Sequence, residues 1–164
     1  MKITEYIFVY GTLRKGFNNE FFKLLNKNAV LLGKGYIHAK LYDIGEYPGA
    51  IPFHNKNFIL KGEIYQFQNG SEKVLKLLDE YEGYLPLQND NSEYRRELSN
   101  VRMENGEIVK AWVYWYNFPV NDKVLINSGD YLLYLNEKKI RQLKIGRNRT
   151  RYSRLKSKRT SLKS

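Results

Sequence analysis

The sequence predicts an α+β fold in which a curved sheet or small barrel carries two helices. Many short apolar and aromatic runs, in a chain with 14 Tyr and 8 Phe, read as strands. Only two segments have helical periodicity, and Asn105-Gly106 parts two long strand-like runs as a hairpin turn would. Mixed strands and helices without a repeating βαβ pattern give the α+β class.

Taken in order, residues 6–10 form a buried strand, and Arg14-Lys15-Gly16 is a loop. Asn18 or Asn19 caps a short helix through Leu25 with Phe21, Phe22, Leu24 and Leu25 on its apolar side. Ala29–Leu32 and Tyr36–Tyr42 read as strands parted by Gly33 and Gly35. A turn cluster, Gly45 to Ala50, precedes extended pieces at 50–53 and 60–67. Asn69-Gly70-Ser71 opens a helix to about Glu82, and 86–92 is a polar loop. Residues 94–104 and 107–116 flank Asn105-Gly106, the dipeptide suited to a two-residue type I′ turn.

At 164 residues the chain can bury one substantial core. It has no run of 18 apolar residues, so no membrane span is expected, and Met1-Lys2-Ile3-Thr4-Glu5 lacks a signal-peptide apolar core. With no Cys, disulfides, thiol nucleophiles and thiolate metal sites are excluded, and a cytoplasmic location is the default expectation. His38 and His54 match no metal-ligand spacing, and no Ser sits in a nucleophile elbow. The net charge of +11 is unevenly placed: residues 1–136 hold as many acids as bases, and the excess lies in 137–164. The sequence therefore divides into a domain over 1–136 and a basic C-terminal tail over 137–164, read as disordered because it cannot bury enough surface to offset its ordering entropy. An idle solubilising extension and a loose, salt-sensitive contact with nucleic acid or an acidic surface both fit this tail.

Two segments carry chemistry. On a helical wheel with Leu78 at the origin, Val74, Leu75 and Tyr81 lie within about 60° of it and Glu82 at about 40°. Glu80 and Lys76 point away, and Asp79 falls on the margin at about 100°. Glu82 is thus the acid that shares the apolar face, where burial would raise its pKa toward a useful acid/base range. The alternative is that the helix frays at Gly83 and Glu82 turns into solvent. The second segment, Tyr10-Gly11-Thr12-Leu13, offers successive backbone N–H groups at a strand end, where Gly allows close approach of a carboxylate or oxyanion. Arg14-Lys15 reads as a solvated rim beside it.

Together these segments resemble the γ-glutamylcyclotransferase-like family, in its AIG2-like and γ-glutamylamine cyclotransferase branches. Phe8-Val9-Tyr10-Gly11-Thr12-Leu13-Arg14 is similar to the family's opening strand and glutamyl-binding loop. Leu41 to Ala50 resembles its "LYDLGxYPG" segment, Lys61-Gly62-Glu63-Ile64-Tyr65 its "GELY" strand, and Leu78-Asp79-Glu80-Tyr81-Glu82-Gly83 its "LDxYEG" helix end. Tyr94-Arg95-Arg96, Ala111-Trp112-Val113-Tyr114 and Ser128-Gly129-Asp130-Tyr131 match later elements, so that residues 6–132 are covered. Ser99 departs from a position that is often apolar in the family.

The resemblance implies a γ-glutamylcyclotransferase-like fold, a small mixed β-barrel with flanking helices. It implies an enzyme that needs no metal or organic cofactor and converts a small γ-glutamyl amine or amino acid to 5-oxoproline with release of the free amine. Glu82 would be the general acid/base, Tyr10, Gly11, Thr12 and Leu13 would line the substrate site, and Tyr114 would supply a hydroxyl. Whether the loop's donors hold the oxyanion or the α-carboxylate is left open, as are the particular γ-glutamyl substrate and the oligomeric state. Two other readings stand beside this one. One is a non-catalytic ligand-binding module of the same fold whose basic tail contacts nucleic acid or an acidic partner. The other is a same-fold enzyme for a different γ-acyl substrate.

Overall fold

In the computed structural model, which describes residues 5–161, β1 (Tyr6–Val9) occupies the middle of the sheet. It pairs antiparallel with β4 (Ile59–Phe67) and parallel with β6 (Ile108–Tyr116). β6 continues antiparallel to β5 (Tyr94–Met103), and β5 pairs with β2 (Ala29–Asp43), which returns to β4. The five strands β2, β4, β1, β6 and β5 thereby close a mixed barrel, and β3 (Pro48–Pro52) and β7 (Val124–Leu125) extend the far end of β2. Ile7, Phe8 and Val9 are all buried, as a strand covered on both faces requires.

Three elements differ from the sequence-based expectation. The two strands expected at 29–42 are one strand of 15 residues whose register shifts between Leu31 and Gly33. A bulge there bends β2 without ending it, so β2 serves both β4 and β5. At Asn105-Gly106 the hairpin is not type I′, because only Gly106 has a positive φ (+88°). Gly106 N–H donates to Met103 O (2.9 Å) and Met103 N–H to Glu107 O (2.8 Å), giving a three-residue loop with Gly at its left-handed position. The third difference is a long third helix, α3 (Tyr131–Ser161), where the tail was expected to be disordered.

α3 forms because Leu, Lys, Arg and Gln are all good helix formers and no Pro interrupts them. Helical backbone does not require a buried face, the criterion on which the disorder reading rested. The chain divides into a unit ending at Tyr131 and a second made of the rest of α3, a few residues earlier than the composition change at 136/137. Residues 1–4 and 162–164, part of the opening segment and tail as read from sequence, lie outside the described residues. Among the described residues no helix is long and apolar enough to cross a membrane.

The other helices cover one end of the barrel. α1 (Glu20–Asn28) is capped by Asn19, whose Oδ1 accepts from Phe22 N–H at 2.8 Å, which settles the choice between Asn18 and Asn19. α2 (Glu72–Tyr81) follows Ser71 and buries Val74, Leu75 and Leu78 against Ile7, Val9, Leu25 and Tyr65. Phe21 of α1 and Tyr81 of α2 stack with ring centroids 3.9 Å apart. The end of α2 and the end of β1 are thus brought to the same side of the core.

Candidate active site

Beyond β1 the chain turns sharply at Gly11. Arg14 N–H donates to Gly11 O (3.1 Å), Asn19 Nδ2 to Thr12 O (2.7 Å), and Thr12 Oγ1 lies 3.0 Å from the Tyr81 hydroxyl. The turn is therefore tied to the cap of α1 and to the last residue of α2. Among the described residues, the N–H groups of Gly11, Thr12 and Leu13 bond no protein acceptor. A Cβ on Gly11 would stand 2.8 Å from Pro48 Cγ, so glycine here permits the two loops to close on each other.

Arg14 corrects the sequence reading of a solvated rim. It is buried, with Nη1 2.8 Å from Asp130 Oδ1 and Nε 3.6 Å from Glu63 Oε1. Glu63 in turn accepts from Lys15 N–H (2.8 Å) and the Tyr65 hydroxyl (3.2 Å). This cluster fixes the far end of the turn to β4, so Arg14 is a clamp and not a freely solvated cation.

Glu82 is held at the end of α2 and does not fray. Gly83 takes the left-handed conformation (φ +63°); its N–H returns to Glu80 O (3.3 Å), that of Tyr84 to Asp79 O (2.9 Å) and that of Glu82 to Leu78 O (2.9 Å). These are the paired bonds of a Schellman motif with Glu82 as its cap residue. The half-buried Glu82 lines a pocket with residues Phe8 to Leu13, Tyr47, Pro48, Tyr94 and Tyr114. The pocket is a narrow slot: about 360 Å³ of empty space including its mouth, of which about 30 Å³ admits the centre of a water-sized sphere. Among the described residues no Lys, Arg or His lines it.

Burial pushes the Glu82 carboxyl up from 4.5 to about 8, and the negative charges of Glu93 and then Asp79 add to the shift. The Tyr10 hydroxyl is likewise pushed far up, first by burial and then by Glu82. A carboxyl titrating near 8 exchanges protons readily with an amine at neutral pH.

The second acid of this helix has the opposite setting. Asp79, marginal on the helical wheel, is buried and pinned in two places by Arg96, with Nε to Oδ1 at 2.8 Å and Nη2 to Oδ2 at 3.1 Å. The guanidinium also lies 4.4 Å from the Trp112 ring centroid. Asp79 Oδ1 accepts from the Tyr114 hydroxyl at 2.6 Å. Tyr114 therefore lines the pocket as expected, but its O–H donor is committed to Asp79. Similarly, Tyr10 O–H donates to Tyr114 O (2.6 Å) and accepts weakly from Ala50 N–H (3.3 Å), so Tyr10 gives the pocket a wall and a braced loop.

The structure thus brings Tyr10, Gly11, Thr12, Leu13, Glu82 and Tyr114 around one pocket. Tyr94 is a lining residue to which the sequence reading gave no site role. Tyr47 O–H donates to Glu93 Oε1, and Tyr94 O–H to Pro48 O (2.7 Å), which joins the third wall to the loop after α2. The Tyr94-Arg95-Arg96 motif was the available signal.

A closed barrel bearing a high-pKa carboxyl in one pocket with a turn of unengaged amides is chemically suited to hold an anionic or acyl group. Comparison with known proteins narrows the reading. Residues 7–133 match the family described as gamma-glutamyl cyclotransferase, AIG2-like, and the chain belongs to that family. A Methanocaldococcus jannaschii protein is 36% identical over 133 residues, covering 79% of this chain and 98% of that one. The Escherichia coli gamma-glutamylcyclotransferase family protein YtfP is 38% identical over 77% of this chain and 95% of its own; its solution structure superimposes with a TM-score of 0.54. A Niallia circulans protein named as the γ-glutamyl cyclotransferase of γ-L-glutamyl-butirosin B is 36% identical over 68% of this chain and 66% of its own length.

Proposed function

We propose that this chain cyclises the γ-glutamyl group of a small γ-glutamyl amine or amino acid to 5-oxoproline, with Glu82 as general acid/base. The observation that carries the reading is the high-pKa carboxyl in the same narrow pocket as the free N–H groups of Gly11, Thr12 and Leu13. Glu82 as carboxylate takes a proton from the substrate's α-ammonium. The freed amine attacks the γ-carbonyl, a C–N bond forms, and the carbonyl electrons move onto oxygen. As the oxyanion collapses, the old C–N bond breaks and Glu82 returns its proton to the leaving nitrogen; the second proton, left on the ring nitrogen by the attack, passes to the released amine, which departs as an ammonium, so that atoms and charge balance.

Each step uses a feature of the site. The turn amides are donors for the oxyanion or the α-carboxylate, a role they can fill because no cationic side chain lines the pocket. The narrow slot favours a folded γ-glutamyl chain with amine and carbonyl together, the proximity on which an intramolecular attack depends. The Asp79–Arg96–Tyr114 network fixes the wall behind Glu82 and keeps the second carboxylate occupied. The family name and the butirosin relative support a γ-glutamyl substrate.

The test is release of 5-oxoproline from a panel of γ-glutamyl amino acids and γ-glutamyl amines by the wild-type protein and by Glu82→Gln. The expected result is product from the wild type alone, with the best panel member defining the leaving group. Equal release by both proteins would remove Glu82 from the role, and no release from any member would favour the binding-module reading.

A further inference from the structure

We propose that Glu93 is a positioning residue that acts on Glu82: its carboxylate, fixed beside the end of α2 and lacking a cation, holds Glu82 in the acid form until substrate arrives. The inference rests on the reading of Glu82 as general acid/base. Among the described residues no side-chain or backbone donor bonds the Glu82 carboxyl, so its protonation is left to the charges around it. The groups that face it come from every wall of the site. They are Tyr10 after β1, Tyr47 before β3, Asp79 of α2, Glu93 and Tyr94 at the start of β5, and Tyr114 of β6. Burial holds Tyr10, Tyr94 and Tyr114 above their ordinary range, and the bond to Glu93 does the same for Tyr47, so all four stay neutral. Asp79 is neutralised by Arg96, at 2.8 and 3.1 Å. Glu93 is the acid that remains: among the described residues no Lys, Arg or His stands within ion-pair distance of it.

Glu93 has little freedom to turn away. Its N–H donates to Gly83 O (3.2 Å), its C=O accepts from Asn117 N–H (2.8 Å), and its Oε1 accepts from the Tyr47 hydroxyl. Its Oε2 stays on the side of Gly83, the residue next to Glu82, where a Cβ built on the glycine would lie 3.8 Å from it. Tyr47 lines the pocket with Glu82, so one hydroxyl ties a wall of the slot to the second acid. That O–H donation favours the ionised form of Glu93, and a like charge so placed disfavours ionisation of Glu82. Of the two acids Glu82 therefore carries the proton. A substrate with an α-ammonium group supplies the missing cation. As it binds, Glu82 loses its proton to water, and the carboxylate so formed is the base that accepts a proton from the bound ammonium.

The test is a carboxyl carbon-13 NMR titration of the full chain, with the Glu82 signal assigned by its loss in Glu82→Gln. Glu93→Gln, which keeps an acceptor for Tyr47 but no charge, should lower the Glu82 midpoint by about one pH unit. Tyr47→Phe keeps both acids but frees Glu93 from its anchor, and should lower the midpoint by less. Glu80→Gln removes an exposed acid from the far side of α2 and should leave it in place. In 5-oxoproline release, the acid limb of kcat/KM should move down with the midpoint in Glu93→Gln, so that activity at about pH 6 rises several-fold relative to that at about pH 8. A merely structural role would lower activity alike at every pH. Circular dichroism establishes the fold of each variant. An unmoved midpoint in folded Glu93→Gln, an equal shift in Glu80→Gln, or an acid limb that does not follow the midpoint would each overturn the proposal. Absence of product from the wild type would instead overturn the cyclotransferase reading, and the titration would still decide whether Glu93 controls the Glu82 proton.

Discussion

α2 and α3 make opposite uses of charge. α2 is ten residues long, buries one face, and places one acid in a pocket and another in an ion pair. α3 is 31 residues long and exposes its cations to water around its circumference. In the first, charge is withdrawn from solvent, and burial shifts the protonation of Glu82. In the second, charge stays exposed to water along the helix. Buried acids set the character of one helix and exposed cations that of the other.

The contrast breaks most directly at Glu82. Glu82→Gln should leave the barrel folded and lower turnover about a thousandfold or more, measured as 5-oxoproline release. The next largest effect is expected at the partner that keeps Asp79 satisfied. Arg96→Met leaves the buried Asp79 carboxylate without its cation, and denaturant unfolding should show a loss of about 3 kcal/mol. Gly11→Ala, which drives a methyl into Pro48, should slow turnover roughly tenfold to a hundredfold through the displaced turn amides, with a smaller change in stability.

A subtler effect concerns pH. The folded state holds the Glu82 proton up to about pH 8, whereas the unfolded chain releases it near 4.5. Between those values stability falls as pH rises, and above them the wild type bears the full cost of a buried carboxylate. Glu82→Gln should therefore melt with the wild type at pH 4 and be more stable at pH 9 by ~1–2 kcal/mol, discounted because the side chain is half-open to water. In α3, by contrast, Lys144→Gln should change the stability of the protein by less than about 0.5 kcal/mol at either pH.

The same contrast explains what could be read in the sequence. β1, α2 and the hairpin carried local signals, namely an apolar run, a 3.6-residue period and Asn-Gly, and each was found in place. Glu82 was legible because its neighbours on the wheel are apolar. Asp79 was not, because its burial depends on Arg96, 17 positions away, which no periodicity reports. Arg14 was missed for the same reason: its partners Glu63 and Asp130 come from distant strands and loops. For α3, the weighing of burial against entropy omitted intrinsic helix propensity, which acts without any tertiary partner.

The central position of β1 has a consequence for how the molecule comes into being. Of the described strands it is synthesised earliest, yet its parallel neighbour β6 begins at Ile108. During translation Ile7, Phe8 and Val9 wait for β4 to cover one edge and for β6 to cover the other. The pocket walls, drawn from Tyr10, Tyr47, Glu82, Tyr94 and Tyr114, cannot meet before β6 has emerged. Such long-range closure is slow compared with local helix formation and leaves an apolar edge open in the interval. A nascent chain halted before β6 should accordingly expose a sticky strand and no binding activity, making this the stage of its life at which a chaperone matters most.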